Sequence, residues 1–197
     1  YKVLDVRYSN EPCKMKTGLR ASTNVIENYK YTVRVNSNGD ICSIVDKRNG
    51  RELVESGKAV RLALFTENRS YSWPAWEIIK ETLDAEPVSI TDDVKISVVE
   101  NGPVRATVCV ERKHGDSSFK QYISLTDGAQ DDRIDIVNNV NWQSTDALLK
   151  AEFPLSFSNP EAVYDLGVGT VARGNNTPTA YEVYARQWAD LTAQDGS

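Results

Sequence analysis

The sequence predicts an all-β protein built as one large antiparallel sandwich. Short segments in which apolar and polar residues alternate recur along the chain, and a period of two is typical of half-buried strands. Turn residues separate these segments about every ten positions, as in sandwiches and barrels. Helical periodicity is limited to one stretch, residues 74–81, which begins with a proline that suits a first helical position.

The first clear strands predict a β-meander. One face of the first strand carries Tyr29, Tyr31, Val33 and Val35. Asn38 and Gly39 then supply the positive φ angles of a tight hairpin turn. A returning strand leads to a second turn at Asn49 and Gly50, after which a short third strand is expected.

The central strands follow the same pattern. Alternating residues mark three strands: Val94, Ile96 and Val98, then Val104, Ala106, Val108 and Val110, and then Phe119, Gln121, Ile123 and Leu125. In the second of these strands the four named residues are predicted to point inward. Those predicted to point outward are Arg105, Thr107, Cys109 and Glu111. A turn at residues 114–116 joins the last two of these strands, and two more strands are expected near residues 162–171 and 180–186.

Residues 133–154 predict two further strands joined by a polar turn at residues 143–146. Alternation assigns to the buried face Ile134, Ile136, Val140 and Trp142 in the first strand, and Leu149, Ala151, Phe153 and Leu155 in the second. The aspartates and asparagines between them are interpreted as surface and turn residues.

Charge and hydropathy exclude several classes of partner. The 197 residues carry a formal net charge of -5, and no more than two Lys or Arg residues are adjacent. Nucleic-acid binding requires clustered basic residues, so no nucleic-acid partner is expected. No apolar run approaches the ~20 residues of a spanning helix, so no membrane partner is expected either.

The cysteines indicate the cellular location of the domain, and the organisation of the chain indicates that it is part of a longer enzyme. Cys13, Cys42 and Cys109 are odd in number and widely spaced, which favours free thiols and a cytoplasmic location. Residues 1–22 are predicted to be a remnant strand and a linker, and residues 23–197 to be an incomplete sandwich cut from a longer enzyme.

The sequence predicts no catalytic residue and no metal ligand in this chain. His114 is the one histidine and lies in a predicted turn, whereas zinc sites need converging His, Cys or carboxylate ligands. Four aspartates lie close together in the sequence, at positions 127, 131, 132 and 135. Their spacing is not that of a calcium-binding loop, and they are interpreted as residues of a solvent-exposed turn and the following strand start.

Two tryptophans are the candidate sugar-contact residues. Trp73 and Trp76 flank Pro74 and Ala75, and two interpretations are open. Either the pair plugs one end of the sandwich core, or its exposed faces stack on sugar rings. Trp142 and Trp188 lie in patterned segments and are expected in the core.

An ordered set of short motifs resembles a known family. The set comprises residues 38–41 with residues 43–44 and 46–47, residues 73–76, residues 101–106, residues 111–117, residues 133–135, residues 140–142, residues 148–150 with residues 153–154, residues 169–171 with Arg173, and residues 188–191. It is similar to the C-terminal β-domain of glycoside hydrolase family 38, the α-mannosidases, in their bacterial and cytosolic branch. Proline at position 74 departs from the family's usual Trp-Asp-Ala-Trp, and the chain stops before further strands of the family pattern.

The resemblance implies a galactose-mutarotase-like supersandwich, truncated at its C-terminus, and a parent enzyme that is a retaining exo-α-mannosidase. It also implies an aspartate nucleophile and a zinc ion in an N-terminal catalytic domain, with mannose-containing glycans as substrates. None of those motifs is present here, so no cofactor is assigned to this chain.

The main hypothesis is therefore a non-catalytic sandwich that supports the catalytic domain. The alternatives are a stand-alone carbohydrate-binding module and a mutarotase-type epimerase, and the single His114 counts against the epimerase.

Overall fold

A computed structural model shows an antiparallel all-β fold, which confirms the predicted class. The structure describes residues 8–11, 15–73, 76–128, 133–174 and 177–193. Within these residues the elements are β1 (Arg20–Ala21), β2 (Val25–Glu27), β3 (Tyr31–Val35), β4 (Ile41–Asp46), β5 (Arg51–Glu52), β6 (Arg61–Phe65), α1 (Lys80–Asp84), β7 (Val88–Ser89), β8 (Asp92–Asn101), β9 (Arg105–His114), β10 (Ser117–Thr126), β11 (Asp135–Asn141), β12 (Leu148–Glu152), β13 (Glu161–Asp165), β14 (Thr170–Gly174) and β15 (Ala189–Asp190).

The first sheet is the predicted meander, with strand order β1-β2-β3-β4-β5. Tyr31, Val33 and Val35 are buried on one face of β3. The β3–β4 turn contains Gly39 at φ 81°, and the β4–β5 turn contains Gly50 at φ 72°, both in the left-handed region that glycine tolerates. The sheet begins at β1, which precedes the boundary predicted at residue 23, and the expected remnant strand at residues 1–6 lies outside the described residues.

The second sheet has the order β11-β10-β9-β8 and packs face to face on the first. The core between them consists of Leu19, Ile26, Tyr31, Val33, Val35, Ile41, Val54, Val60, Ala106, Val108, Val110, Ile123 and Leu125. A Val or Ile side chain that is fully removed from water contributes about 1.5–3 kcal/mol, so this layer is the main source of stability.

A buried ion pair ties the β3–β4 turn to the second sheet. Arg112 of β9 donates from Nη1 to Asp40 Oδ1 at 2.6 Å and from Nη2 to the Gly39 carbonyl at 2.6 Å. The exposed fractions of the Arg112 and Asp40 side chains are 1% and 5%. Gly39 packs so closely that a Cβ there would lie 2.2 Å from Val110 Cγ1. The turn is therefore part of the core.

The third sheet, ordered β12-β6-β7, continues from the first. Isolated bridges pair Ile41 with Val60 and Val54 with Leu155. A second core cluster of Leu62, Leu64, Ile90 and Phe119 lies beneath this sheet, with Trp142, Ala147 and Leu149 packed against it. A fourth sheet, ordered β14-β13-β15, follows in the chain.

Residues 133–154 do form two strands, but these strands belong to different sheets. β11 pairs with β10, whereas β12 pairs with β6. Ile134, Ile136 and Trp142 are partly buried against core clusters as predicted, but Val140 and Phe153 are exposed. Val140 is exposed because β11 is the outer strand of its sheet, and Phe153 is exposed because it follows the last paired residue of β12.

The predicted faces of β9 need two corrections. Val104 lies before the strand and is exposed instead of inward-facing. Thr107 and Cys109, predicted outward, are buried. Neighbouring strands cover them: the Thr107 hydroxyl donates to Glu100 Oε2 at 2.5 Å and is 2.9 Å from Ser124 Oγ. Burial accordingly raises the pKa of the Cys109 thiol.

Other predicted elements are shifted. Residues 74 and 75 of the predicted helix lie outside the described residues, and in the part from Trp76 onward the helix begins at Lys80. Trp76 N and Glu77 N both donate to the Trp73 carbonyl at 2.9 Å and form a turn first. Residues 162–171 contain the hairpin β13–β14 and not a single strand. The predicted strand at 180–186 is absent from that stretch of the described chain, and Trp188 is exposed, so its assignment to the core is wrong.

Candidate functional site

The candidate site is the loop that carries Trp73 and Trp76, between β6 and α1. The exposed fractions of these side chains are 62% and 83%, and the neighbouring Tyr71 is also exposed. The interpretation of the pair as a core plug is therefore wrong. At the second core cluster the aromatic contact is made by Trp142, whose ring meets that of Phe119 edge to face at 6.3 Å.

The two indole rings lie edge to face. Their centroids are 6.4 Å apart and their planes meet at 82°. This is a favourable aromatic arrangement, and it does not give the rings a common plane. A flat ligand can therefore stack on one indole face and contact the edge of the other ring.

Hydrogen bonds within the loop fix the turn around the tryptophans. Ser70 Oγ accepts from Trp73 N at 2.9 Å and donates to Glu77 Oε2 at 2.5 Å. Together with the two amides that donate to the Trp73 carbonyl, these bonds hold the backbone of Trp73 and Trp76 although their side chains are in solvent.

Three contacts attach the base of the loop to the rest of the domain. Asn68 N donates to the Asp146 carbonyl at 2.7 Å, and Thr82 Oγ1 donates to the Glu67 carbonyl at 3.3 Å. Tyr181 donates from its hydroxyl to the Ile78 carbonyl at 3.2 Å, so the C-terminal part of the chain reaches the loop. The loop is thus an anchored projection from the third sheet.

The chemistry available here is recognition by apolar ring faces. An indole face can pack against the C–H face of a pyranose ring while the sugar hydroxyls stay in water. Within the described residues, no group of three or more His, Cys, Asp and Glu side chains lies close enough to hold a metal ion.

The carboxylates and the histidine singled out in the sequence lie elsewhere. Asp127 Oδ2 accepts from Thr17 Oγ1 at 2.6 Å and from Gly18 N at 3.1 Å, which fixes the chain before β1. Asp131 and Asp132 are outside the described residues. His114 ends β9 next to the Gly115 turn. In the described part of the chain, no helix has the length and apolar character needed to cross a membrane.

Comparison with known proteins identifies the family. Residues 26–197 match the glycosyl hydrolases family 38 C-terminal domain. The chain belongs to this family. Among curated relatives of this family 38 domain, alpha-mannosidase G of Dictyostelium discoideum is 29% identical over 187 residues, which cover 87% of this chain and 16% of that protein. Alpha-mannosidase 2C1 of Mus musculus is 24% identical and covers 86% of this chain and 17% of its own length.

Solved structures show the same fold. A family 38 glycosyl hydrolase from Enterococcus faecalis superposes with a TM-score of 0.64 at 14% identity, covering 86% of this chain and 23% of that one. An alpha-mannosidase from Enterococcus faecalis V583 superposes with a TM-score of 0.64 at 16% identity. The family 38 domain described here thus spans less than a quarter of the length of these relatives.

Proposed function

We propose that this chain is the β-sandwich domain of a retaining, zinc-dependent exo-α-mannosidase, and that it supports a catalytic domain of the same polypeptide. The observation that carries the proposal is the family match over residues 26–197. Two features support it. Three of the relatives carry the name alpha-mannosidase, and this domain accounts for only 16–22% of their length, which leaves room for a separate catalytic domain.

Zinc belongs, in this proposal, to the catalytic domain and not to the sandwich. A zinc site needs three or four converging His, Cys or carboxylate ligands, and the described residues form no such group. The described residues therefore do not fit the ion, and no step of hydrolysis is assigned to this chain. The free thiols Cys42 and Cys109 and the net charge of -5 support a cytoplasmic setting without nucleic acid.

The test is made on the polypeptide that carries this chain. The intact polypeptide is expected to hydrolyse p-nitrophenyl α-mannoside, and this activity is expected to fall to background when residues 26–197 are deleted. The isolated chain is expected to show no turnover. Absence of activity in the intact polypeptide, or turnover by the pure chain that a chelator abolishes, would overturn the proposal.

Within this function we propose that Trp73 and Trp76 contact mannose-containing glycans. Their exposure in an anchored loop supports this role and also favours the second candidate function, a stand-alone carbohydrate-binding module. Calorimetry of the chain with mannose oligosaccharides separates the candidates, because only the module predicts heat of binding from the chain alone that Trp73→Ala or Trp76→Ala abolishes.

Single variants test the contact itself. Trp73→Ala and Trp76→Ala are each expected to weaken glycan binding, by the chain or by the parent enzyme, about two- to twelvefold, since an aromatic contact is worth ~0.5–1.5 kcal/mol beyond area burial. Trp188→Ala is the matched control, because Trp188 is also an exposed tryptophan but lies near β15. Equal effects of all three substitutions would refute a specific role for the loop.

A further inference from the structure

A groove of about 960 Å³ lies where the first and third sheets meet. Its walls include Asn38 and Asp40 of the β3–β4 turn, Arg61 of β6, and Glu152 and Phe153 at the end of β12. None of the described residues that line it belongs to the Trp73–Trp76 loop. We propose that this groove is a second carbohydrate site, which binds a neutral sugar unit through fixed polar side chains and the ring of Phe153.

One of the groups that line the groove is the Arg61 guanidinium, which is held in place from both sides. Arg61 donates from Nε to Glu152 Oε2 at 2.8 Å and from Nη1 to Ser89 Oγ at 2.7 Å. These partners lie on β12 and β7, the two strands that flank β6. Guanidinium and carboxylate groups are planar and each offers two adjacent donors or acceptors, which matches two neighbouring hydroxyls of a sugar.

The opposite wall is fixed by the β3–β4 turn. Asn36 Oδ1 accepts from Asn38 N at 2.9 Å and from Asp40 N at 3.0 Å, which sets the turn. Asp40 is bonded to Arg112 and its side chain is only 5% exposed, so Asn38 is the exposed polar residue that this turn contributes to the groove. The polar groups are thus ordered before a ligand arrives, so little side-chain entropy is lost when they bind one.

An exposed aromatic ring completes the groove. Phe153 directly follows β12, and 57% of its surface is exposed. Binding sites typically combine apolar or aromatic surface with a few placed polar groups. A pyranose has the same dual character, because its C–H face can pack on the Phe153 ring while its hydroxyls meet Arg61 and Glu152.

The charges around the groove favour a neutral ligand. Three acidic residues, Asp40, Glu86 and Glu152, face two basic ones, Lys58 and Arg61. Arg61 is already paired with Glu152, and Lys58 lies 3.3 Å from Glu55 Oε2. A phosphate would therefore find no unopposed positive charge, whereas sugar hydroxyls donate and accept and suit a lining of both signs.

The test is a titration of the ¹⁵N-labelled chain with an α-linked mannotriose, followed by NMR. We expect shifts of the backbone amides of Asn38, Ser89 and Phe153. Phe153→Ala is expected to weaken this binding about two- to twelvefold, as an aromatic contact implies, and Phe153→Tyr to retain it because the ring remains. Phe153 is exposed, so the alanine variant keeps the core, which circular dichroism checks.

Other outcomes overturn the proposal. Absence of groove shifts at the highest soluble sugar concentration would exclude the site, and so would equal affinity of the wild-type chain and Phe153→Ala. Binding that is lost in Trp73→Ala but unaffected by Phe153→Ala would leave the loop as the sugar contact and refute the groove. Tighter binding of mannose 6-phosphate than of mannose would refute the neutral ligand class. Hydrolysis by the parent enzyme tests the proposed function, whereas the NMR titration tests the groove. Either proposal can therefore fail without the other.

Discussion

Replacing Arg112 by methionine should cost the domain about 3–5 kcal/mol of unfolding free energy. Methionine retains an unbranched apolar stem but removes the donors to Asp40 and Gly39. The Asp40 carboxylate would then be buried without its partner, and breaking a buried pair from one side typically costs this amount. Since small domains have about 5–15 kcal/mol in total, the loss is a large fraction of stability.

The control is an ion pair of equal length on the same strand. Arg105 Nη2 lies 2.6 Å from Glu100 Oε1, as Arg112 Nη1 does from Asp40 Oδ1, but the exposed fractions of those side chains are 55% and 40%. Exposed pairs contribute about 0–1 kcal/mol, so Arg105→Met should cost no more than that. Urea unfolding followed by tryptophan fluorescence measures both variants.

Acid should reduce the penalty of Arg112→Met. Burial raises the pKa of Asp40 above its ordinary value of 3.8, against the lowering effect of Arg112. Loss of the guanidinium raises this pKa further. A carboxyl with a raised pKa in the folded state favours folding when protonated, so its stabilisation is lost as pH rises through the folded value. The penalty should therefore shrink as pH falls from 7 towards 3.8.

Two outcomes would refute this reasoning. If Arg112→Met and Arg105→Met lowered the free energy of unfolding by equally small amounts, burial of the ion pair would not determine the cost of breaking it. If Arg112→Met does not fold, the double variant Asp40→Asn with Arg112→Met decides, because it removes the stranded charge and should be more stable than Arg112→Met alone. A double variant no more stable than the single one would contradict the electrostatic explanation.

Two further predictions concern a glycine and a carboxylate. Gly39→Ala should destabilise the domain by about 2–5 kcal/mol, because φ is 81° and the new Cβ would lie 2.2 Å from Val110 Cγ1. The control is Gly50→Ala, where φ is 72° and no described residue beyond its chain neighbours lies within 4 Å of the new Cβ. It should lower the free energy of unfolding by only about 1–2 kcal/mol in the same urea assay. Hydrogen bonds from Arg105 and Thr107 lower the pKa of Glu100 to about 2, so its stabilising effect should be present above its ordinary 4.5 and be lost as pH falls through about 2. Carboxyl NMR shifts measure this pKa, which Arg105→Met should raise towards 4.5, and an unchanged value would contradict the assignment.

Local turn chemistry explains what could be predicted of the fold. The β3–β4 hairpin requires positive φ at Gly39. An Asn-Gly pair between two alternating segments, such as Asn38 and Gly39, therefore indicates a hairpin turn. The same holds for Gly115 between β9 and β10. Such signals fix which neighbouring segments turn back on each other, and they predict a meander well.

Pairing between distant segments carries no such local signal. The turn at residues 143–146 resembles a hairpin turn, yet β11 and β12 separate there into two sheets. Each strand pairs with a segment that its own sequence does not specify. Alternation also misplaces Thr107 and Cys109, because side chains of neighbouring strands cover the outer face of β9.

The candidate site was only half predictable. The role of Trp73 and Trp76 in sugar contact stays a prediction. Whether a loop tryptophan fills the core depends on which other residues fill it, and here Trp142 packs against the second core cluster. The buried Arg112 had an available signal, since it shares the parity of Val108 and Val110 on the inward face of β9. The sequence contains no signal for the exposure of Phe153, because that exposure depends on where the pairing of β12 with β6 ends.

The two bridges between the first and third sheets determine how easily the groove can widen. Ile41 and Val60 exchange both backbone hydrogen bonds, at 3.0 and 2.8 Å, and Ser156 N donates to the Leu53 carbonyl at 2.9 Å on the other side. Ile41 is also buried in the main core. No hinge of loose backbone therefore separates the two walls where these bridges join them. Widening the groove at this junction means disrupting the core, so such opening belongs to the slow global unfolding of the domain and not to fast loop motion.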